Sequence, residues 1–199
     1  MLRPKHLDPA RSYAANESLI TAQIYEPPFQ YHYLKRPYQL EPLTAAMMPE
    51  VELLDKNGEL IPASQQTAEN VAFSRYTITI RPGIAYQPHP AFARDKSGQL
   101  LYRDLDEQTA RKITTIMDFP IQATRELKAS DYVYQIKRLA HPEVHSPILG
   151  LMSEHILGLG DFAAELGKMH QKNQPIDLQA LQISGVRAID DYRYQITVY

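Results

Sequence analysis

Two stretches of the chain alternate apolar and polar residues with a period of two, and they mark its clearest strands. Tyr76, Ile78 and Ile80 are separated by Thr77 and Thr79, and Pro82-Gly83 closes the run; such alternation belongs to a strand with one buried face. Tyr192, Tyr194, Ile196 and Val198 alternate with Arg193, Gln195 and Thr197. With residues 186–188 and Asp190-Asp191 they predict a final hairpin. Phe29, Tyr31 and Tyr33 read as a shorter strand. Residues 51–54 read as another, turned by Asp55-Lys56-Asn57-Gly58, where Asn-Gly is a hairpin signal.

Other segments space their apolar residues for a helix. Asn16 is a good N-cap residue; Ile20 and Ile24, beside Leu19 and Ala22, give the helix after it one apolar face, and Pro27-Pro28 stops it. Residues 107–117 predict a second helix, ended by Phe119-Pro120. A third covers 131–140, with Val133, Ile136 and Ala140 on one face and His141-Pro142 as the stop. The fourth follows Gly158-Leu159-Gly160: Asp161 caps it, Phe162, Leu166 and Met169 form its stripe, and Lys168 and Lys172 suit its C-terminal end. Strands and helices mix without regular strand–helix–strand alternation. The expected fold class is therefore α+β, a mixed, mainly antiparallel sheet with packed helices.

Composition narrows the function more than the fold. With 44% hydrophobic and 22% charged residues the chain has ordinary globular usage. A net charge of −2 and a pI near 6.4 exclude the basic face of an electrostatic nucleic-acid binder, so no nucleic-acid partner is expected. No apolar run approaches the roughly 20 residues that span a bilayer. The absence of cysteine excludes disulfides, thiolate chemistry and Cys-type zinc sites. The first residues lack the apolar core of a signal peptide, and the last strand pattern runs to Tyr199 without a turn. Both ends read as cut from a longer chain.

Candidate chemistry is sparse. His141 and His145 are broken by Pro142 and Pro147 and do not form the His-Glu-x-x-His geometry of a metalloprotease. Asp55, Asn57 and Glu59 imitate the start of a calcium loop, but glycine comes at the fourth position and the twelfth residue is Gln66, so the segment is a turn. Asp104, Asp106 and Glu107 precede a helix and suit its N-terminal dipole. No serine has a nucleophile-elbow setting and no phosphate loop exists. The expectation is a protein without enzymatic activity, cofactor or metal. Thirteen tyrosines, mostly on alternating strand positions, suit sheet packing first and ligand stacking second.

Four segments, in order, resemble the dipeptide- and oligopeptide-binding proteins of bacterial ABC importers (solute-binding family 5). They are Leu7-Asp8-Pro9 with Tyr25-Glu26, then Pro42-Leu43-Thr44-Ala45. Next comes Tyr76-Thr77-Ile78-Thr79-Ile80-Arg81-Pro82-Gly83-Ile84, and last Thr124-Arg125-Glu126-Leu127-Lys128-Ala129-Ser130-Asp131-Tyr132-Val133 with Lys137-Arg138. The closing hairpin from Val186 to Tyr192 matches as well. Pro27-Pro28 departs from the family's glycine, Tyr86 from its tryptophan, and residues 91–121 form an insertion read as a surface elaboration.

The resemblance implies the N-terminal part of a two-lobe periplasmic-binding-protein-like fold. Residues 1–33 would be the N-terminal segment of lobe I and 34–199 its small α+β subdomain, with the second lobe outside this chain. It also implies capture of a peptide or other small solute for the permease subunits of an ABC importer, a monomeric state and a periplasmic location. Tyr13, Ala14, Ala15 and Asn16 would lie on a loop lining the ligand cleft. A solute-sensing domain of a transcriptional regulator is the alternative that the same fold allows.

Overall fold

The computed structural model describes residues 3–199. Its elements are α1 (Ala15–Ile24), β1 (Phe29–Tyr31), β2 (Leu40–Pro42), β3 (Glu50–Leu54), β4 (Phe73–Thr79), α2 (Glu107–Lys112), α3 (Ala129–Leu139), α4 (Leu149–His155), α5 (Leu159–Gln171), β5 (Val186–Ala188) and β6 (Arg193–Val198). β1 pairs with β2, and a four-stranded sheet runs β3-β4-β6-β5, every pairing antiparallel. The class is α+β, as the mixed patterning predicts. The chain divides into two compact units: residues up to Arg81 with Lys128–Tyr199, and Pro82–Leu127.

In the first unit the central strands β4 and β6 place Ile78 opposite Tyr194, and both are buried. The period-two reading puts Thr77, Gln195 and Thr197 on an open face, but they are buried too. The polar groups of Thr77 and Gln195 find partners within the sheet: Gln195 Nε2 donates to Thr77 Oγ1 at 3.0 Å, and Arg187 Nε donates to Gln195 Oε1 at 3.0 Å. Buried polar atoms persist where they find such partners. Helix α3 lies against β5 and β6 and buries Ala129, Val133 and Leu139. Helix α5 buries Leu159, Phe162 and Leu166; of the stripe predicted from spacing, Phe162 and Leu166 are buried and Met169 is half-buried.

Several boundaries differ from the sequence reading, each for a local reason. Ala14, not Asn16, is the N-cap of α1, and Asn16 sits inside the first turn. The apolar face expected on that helix is largely uncovered, since Leu19 and Ile24 are exposed and only Glu17 is buried. Asp161 lies in the first turn of α5, whose cap is Gly158 at φ 76°. That left-handed turn reverses the chain out of α4, and a Cβ there would meet Ser184 Oγ at 2.0 Å. Helix α2 stops at Lys112 rather than 117: the Asp118 carboxylate accepts from Thr114 and Thr115 N–H, both at 2.7 Å, and fixes a new turn there. β1 ends before Tyr33. Helix α4 and strand β2, seven and three residues long, are too short to show a period.

The second unit carries its own packing. Pro90 and Ala93 are buried, Tyr102 meets Phe119 edge-on at 4.8 Å, and Ile121 N–H donates to Tyr102 Oη at 3.1 Å. Residues 91–121 are mostly exposed, as a surface elaboration is, with Ala93 buried and the Tyr102–Phe119 ring pair giving the stretch a local contact of its own.

Within the first unit, the segments that carry the resemblance are bonded to one another. Arg138 grips Asp8 through both guanidinium nitrogens, at 3.0 and 2.5 Å. Arg81 donates through its side chain to Leu43 O and through its amide to Thr44 O, the latter at 2.9 Å. Thr44 Oγ1 and Tyr132 Oη are 2.6 Å apart. Lys128 Nζ reaches Asp191 at 2.7 Å.

Close backbone contact makes one glycine irreplaceable. A Cβ at Gly185 would lie 2.4 Å from the Leu157 carbonyl oxygen, which cannot move because Gly185 N–H donates to it at 3.0 Å. Gly185→Ala should lower stability by about 1–3 kcal/mol, the usual cost of overpacking. Gly167, inside α5 with open space around it, is the control: Gly167→Ala should raise stability by roughly 0.5–1 kcal/mol through helix propensity. Urea midpoints of the two variants, measured together, check both signs.

Candidate functional site

The four residues expected to line a ligand cleft form one surface stretch at the start of α1. Tyr13 is 69% exposed, Ala14 is the extended N-cap, Ala15 is the first helical residue, and Asn16 is half-buried in the first turn. The segment is therefore a helix N-terminus and its approach rather than a loop.

Glu17 builds this stretch. Its carboxylate accepts from the main-chain N–H groups of Lys5 (2.9 Å) and His6 (3.0 Å) on one oxygen, and of Tyr13 (3.2 Å) and Ala14 (3.3 Å) on the other. Reaching back from the third helical position is half of a capping box; alanine at the cap has no side-chain acceptor to supply the other half. The same carboxylate ties the chain at Lys5 and His6 to the helix start. The His6 N–H, with those of Lys5, Ala14 and Tyr13, outweighs the opposing effect of desolvation and holds the Glu17 carboxyl at about 2.

Asp8 supplies the second anchor. Its Oδ1 accepts from Ala10 N–H at 3.0 Å, and its carbonyl accepts from Arg11 and Ser12 N–H at 2.9 and 2.8 Å, turning the chain before Tyr13. The paired Arg138 belongs to α3 and also donates to Gln135 Oε1 at 3.0 Å. Burial raises the Asp8 carboxyl, but the Arg138 bond, the Ala10 amide and the charges of Arg138 and Arg11 together bring it below its ordinary value. A bidentate guanidinium–carboxylate pair fixes orientation as well as distance. Residues 13–16 are thus held from one side by Glu17 and from the other by Asp8.

Sequence reasoning overlooked Glu17. The available signal was its position three residues after Ala14, the spacing of a capping glutamate. The Asp8–Arg138 pair spans 130 residues and left no local signal.

The second unit contains an open depression of about 560 Å³ lined by Phe92, Arg94, Leu100, Ala123, Thr124 and Arg125, among others. The Arg125 guanidinium lies 4.7 Å from the Tyr86 ring centre and 5.3 Å from that of Phe92, a cation–π arrangement. Among the described residues no group of three His, Asp or Glu side chains is placed to hold a metal ion. Among the described residues no helix is long and apolar enough to cross a membrane.

No protein-family model and no curated protein matches the chain. Solved structures do. The chain is similar to the pheromone receptor PrgZ, described with its mode of peptide binding, at 19% identity and TM-score 0.51 over 96% of this chain and 24% of that one. It is similar to the murein tripeptide binding protein MppA of Escherichia coli, at 15% identity and TM-score 0.51 over 98% and 25%. It is also similar to OppA of Burkholderia pseudomallei, at 17% identity and TM-score 0.50 over 98% and 24%. At these identities the likeness is one of fold. The chain spans about a quarter of the length of each structure.

The depressed Glu17 carboxyl gives a test of the scaffold. A group whose folded pKa lies below its unfolded value of about 4.3 stabilises fully above that value. Its contribution fades as pH falls towards 2. Glu17→Gln should therefore be less stable than the parent at pH 7, and the difference should shrink between pH 4.5 and 2. Urea titrations at pH 7, 4 and 2.5 measure it; a gap independent of pH would mean that the charge of Glu17 is not what holds the segment.

Proposed function

We propose that this chain is part of a solute-binding protein that captures peptides, or a similar solute, and delivers them to the permease subunits of an ABC importer in the periplasm. The observation that carries the proposal is the fold, shared over nearly the whole chain with structures two of which are described as peptide binders. In this reading residues 1–33 form the N-terminal segment of lobe I and 34–199 its α+β subdomain. The protein works by binding and closure, without a catalytic step. Ligand shifts the population towards a closed form that the importer recognises.

The Tyr13–Asn16 stretch is the ligand contact in this reading. Two alanines at the cap and first helical position leave space for a peptide main chain to approach closely. Tyr13 offers an exposed ring and hydroxyl beside it. Because Glu17 and Asp8 anchor the backbone on either side, little ordering is left to be done on binding, which is how a small contact gains affinity.

Ala15→Trp, made in the longest protein that carries this sequence, should weaken peptide binding at least tenfold, about 1.4 kcal/mol. The substitution fills the approach while leaving the Glu17 and Asp8 anchors in place. Calorimetry with a di- to pentapeptide pool reads the change, and an unaltered affinity removes this stretch from the site. The 199-residue chain alone should bind the same pool more weakly than millimolar, because a peptide on one face stays largely hydrated. NMR shifts saturating at micromolar peptide would overturn the two-lobe reading.

A further inference from the structure

The turn joining β1 to β2 gathers large apolar side chains in water. Tyr31, Tyr33, Leu34 and Tyr38 are 68%, 87%, 76% and 70% exposed. They are interleaved with His32, Lys35 and Arg36, and no acidic residue occurs between Phe29 and Leu40. Scattered exposed apolar residues need no explanation, but a contiguous group of this kind marks an interaction surface.

The turn is ordered from within. His32 N–H donates to Gln39 O at 2.8 Å, and Leu34 and Lys35 N–H both donate to His32 Nδ1 at 3.2 Å. Arg36 Nη1 donates to Lys35 O at 2.9 Å while its guanidinium sits 4.4 Å from the centre of the Tyr38 ring, and Tyr31 meets Tyr38 edge-on at 6.0 Å. The Arg36 charge rests on an aromatic face and backbone carbonyls, with no carboxylate to neutralise it among the described ion pairs.

We propose that this tip docks on an anionic lipid surface, with Tyr33 and Leu34 entering the interfacial layer and Lys35 and Arg36 meeting phosphate headgroups. Charge selects an anionic occupant, since the segment carries two fixed positive charges and no negative one. The apolar residues select among anionic occupants. An acidic protein would satisfy the cations but need a matching apolar pocket for Tyr33 and Leu34. A lipid interface accepts both without shape complementarity: tyrosine rings favour headgroup depth, and juxtaposed cations are drawn to anionic leaflets. A tip this small makes a weak, salt-sensitive contact, since stable anchoring needs more than one signal.

The chain contains no tryptophan, so Leu34→Trp places a single reporter at the tip. With vesicles of mixed phosphatidylglycerol and phosphatidylcholine its emission should shift to the blue and the protein should co-sediment. Pure phosphatidylcholine should give neither, and 0.5 M salt should reverse both. Lys35→Gln, added to the reporter, should weaken binding roughly fivefold, the worth of one cation near an anionic surface, and its side chain makes no bond within the turn that its loss would disturb. Three outcomes would overturn the proposal. They are no response to anionic vesicles, an equal response to soluble polyglutamate (an acidic protein surface instead), and a blue-shifted, concentration-dependent emission without vesicles (a second copy covering the tip).

Discussion

A half-buried tyrosine between a helix and a sheet must both pack its ring and satisfy its hydroxyl, and the first unit is organised around one that does. Tyr132 of α3 stacks on Tyr194 of β6 with ring centres 5.3 Å apart and planes 13° from parallel. Its hydroxyl meets Thr44 Oγ1 at 2.6 Å, and Thr44 in turn bonds Pro27 O at 3.2 Å. One side chain thus links the helix, the central sheet, the segment after β2 and the exit of α1. Burial raises the Tyr132 phenol above its ordinary value against the lowering effect of the Thr44 bond, so it stays neutral as both partner and packing surface. A phenylalanine could keep the stack but would leave the buried Thr44 hydroxyl with one partner fewer.

The parts of this arrangement that were legible in the sequence are those whose signals are local and repeated. Tyr76 to Ile80 and Tyr192 to Val198 form β4 and β6 because alternation specifies a face, and α3 and α5 follow from stripes of helical spacing. What local signals miss is what a partner decides. Thr77 and Gln195 read as outward-facing from alternation and are buried because each supplies the other's hydrogen bond. Asp161 has the chemistry of a cap, but Gly158 takes that position because only a left-handed residue fits the reversal against Ser184. The 107–117 helix is cut short by Asp118, whose carboxylate competes for backbone donors that a continuing helix would use.

The candidate site was legible only by resemblance. Nothing in the composition of Tyr13-Ala14-Ala15-Asn16 marks a binding segment, and its anchors are hydrogen bonds to Glu17 and a pair across 130 residues of sequence. The motif residues themselves turn out to be mainly structural. Asp8 is held by Arg138, Thr44 by Arg81 and Tyr132, and Asp191 by Lys128, and the surface they position is made of residues with little chemical signature. Sequence motifs can therefore report the frame more faithfully than the surface that it presents.

Helix α1 shows why that frame is polar. An ordinary surface helix is held by an apolar stripe, yet Leu19, Ile24 and Tyr25 are exposed and the one buried side chain is a carboxylate. The helix is instead pinned at its ends, by Glu17 and Asp8 at the start and by the Thr44 bond to Pro27 after its exit. Apolar packing is non-directional, and a helix held by it can rotate or slide by a fraction of a turn at small cost. Four convergent N–H bonds and a bidentate ion pair permit neither. The start of α1 is consequently fixed by directional bonds, while Leu19 and Ile24 beyond it stay exposed.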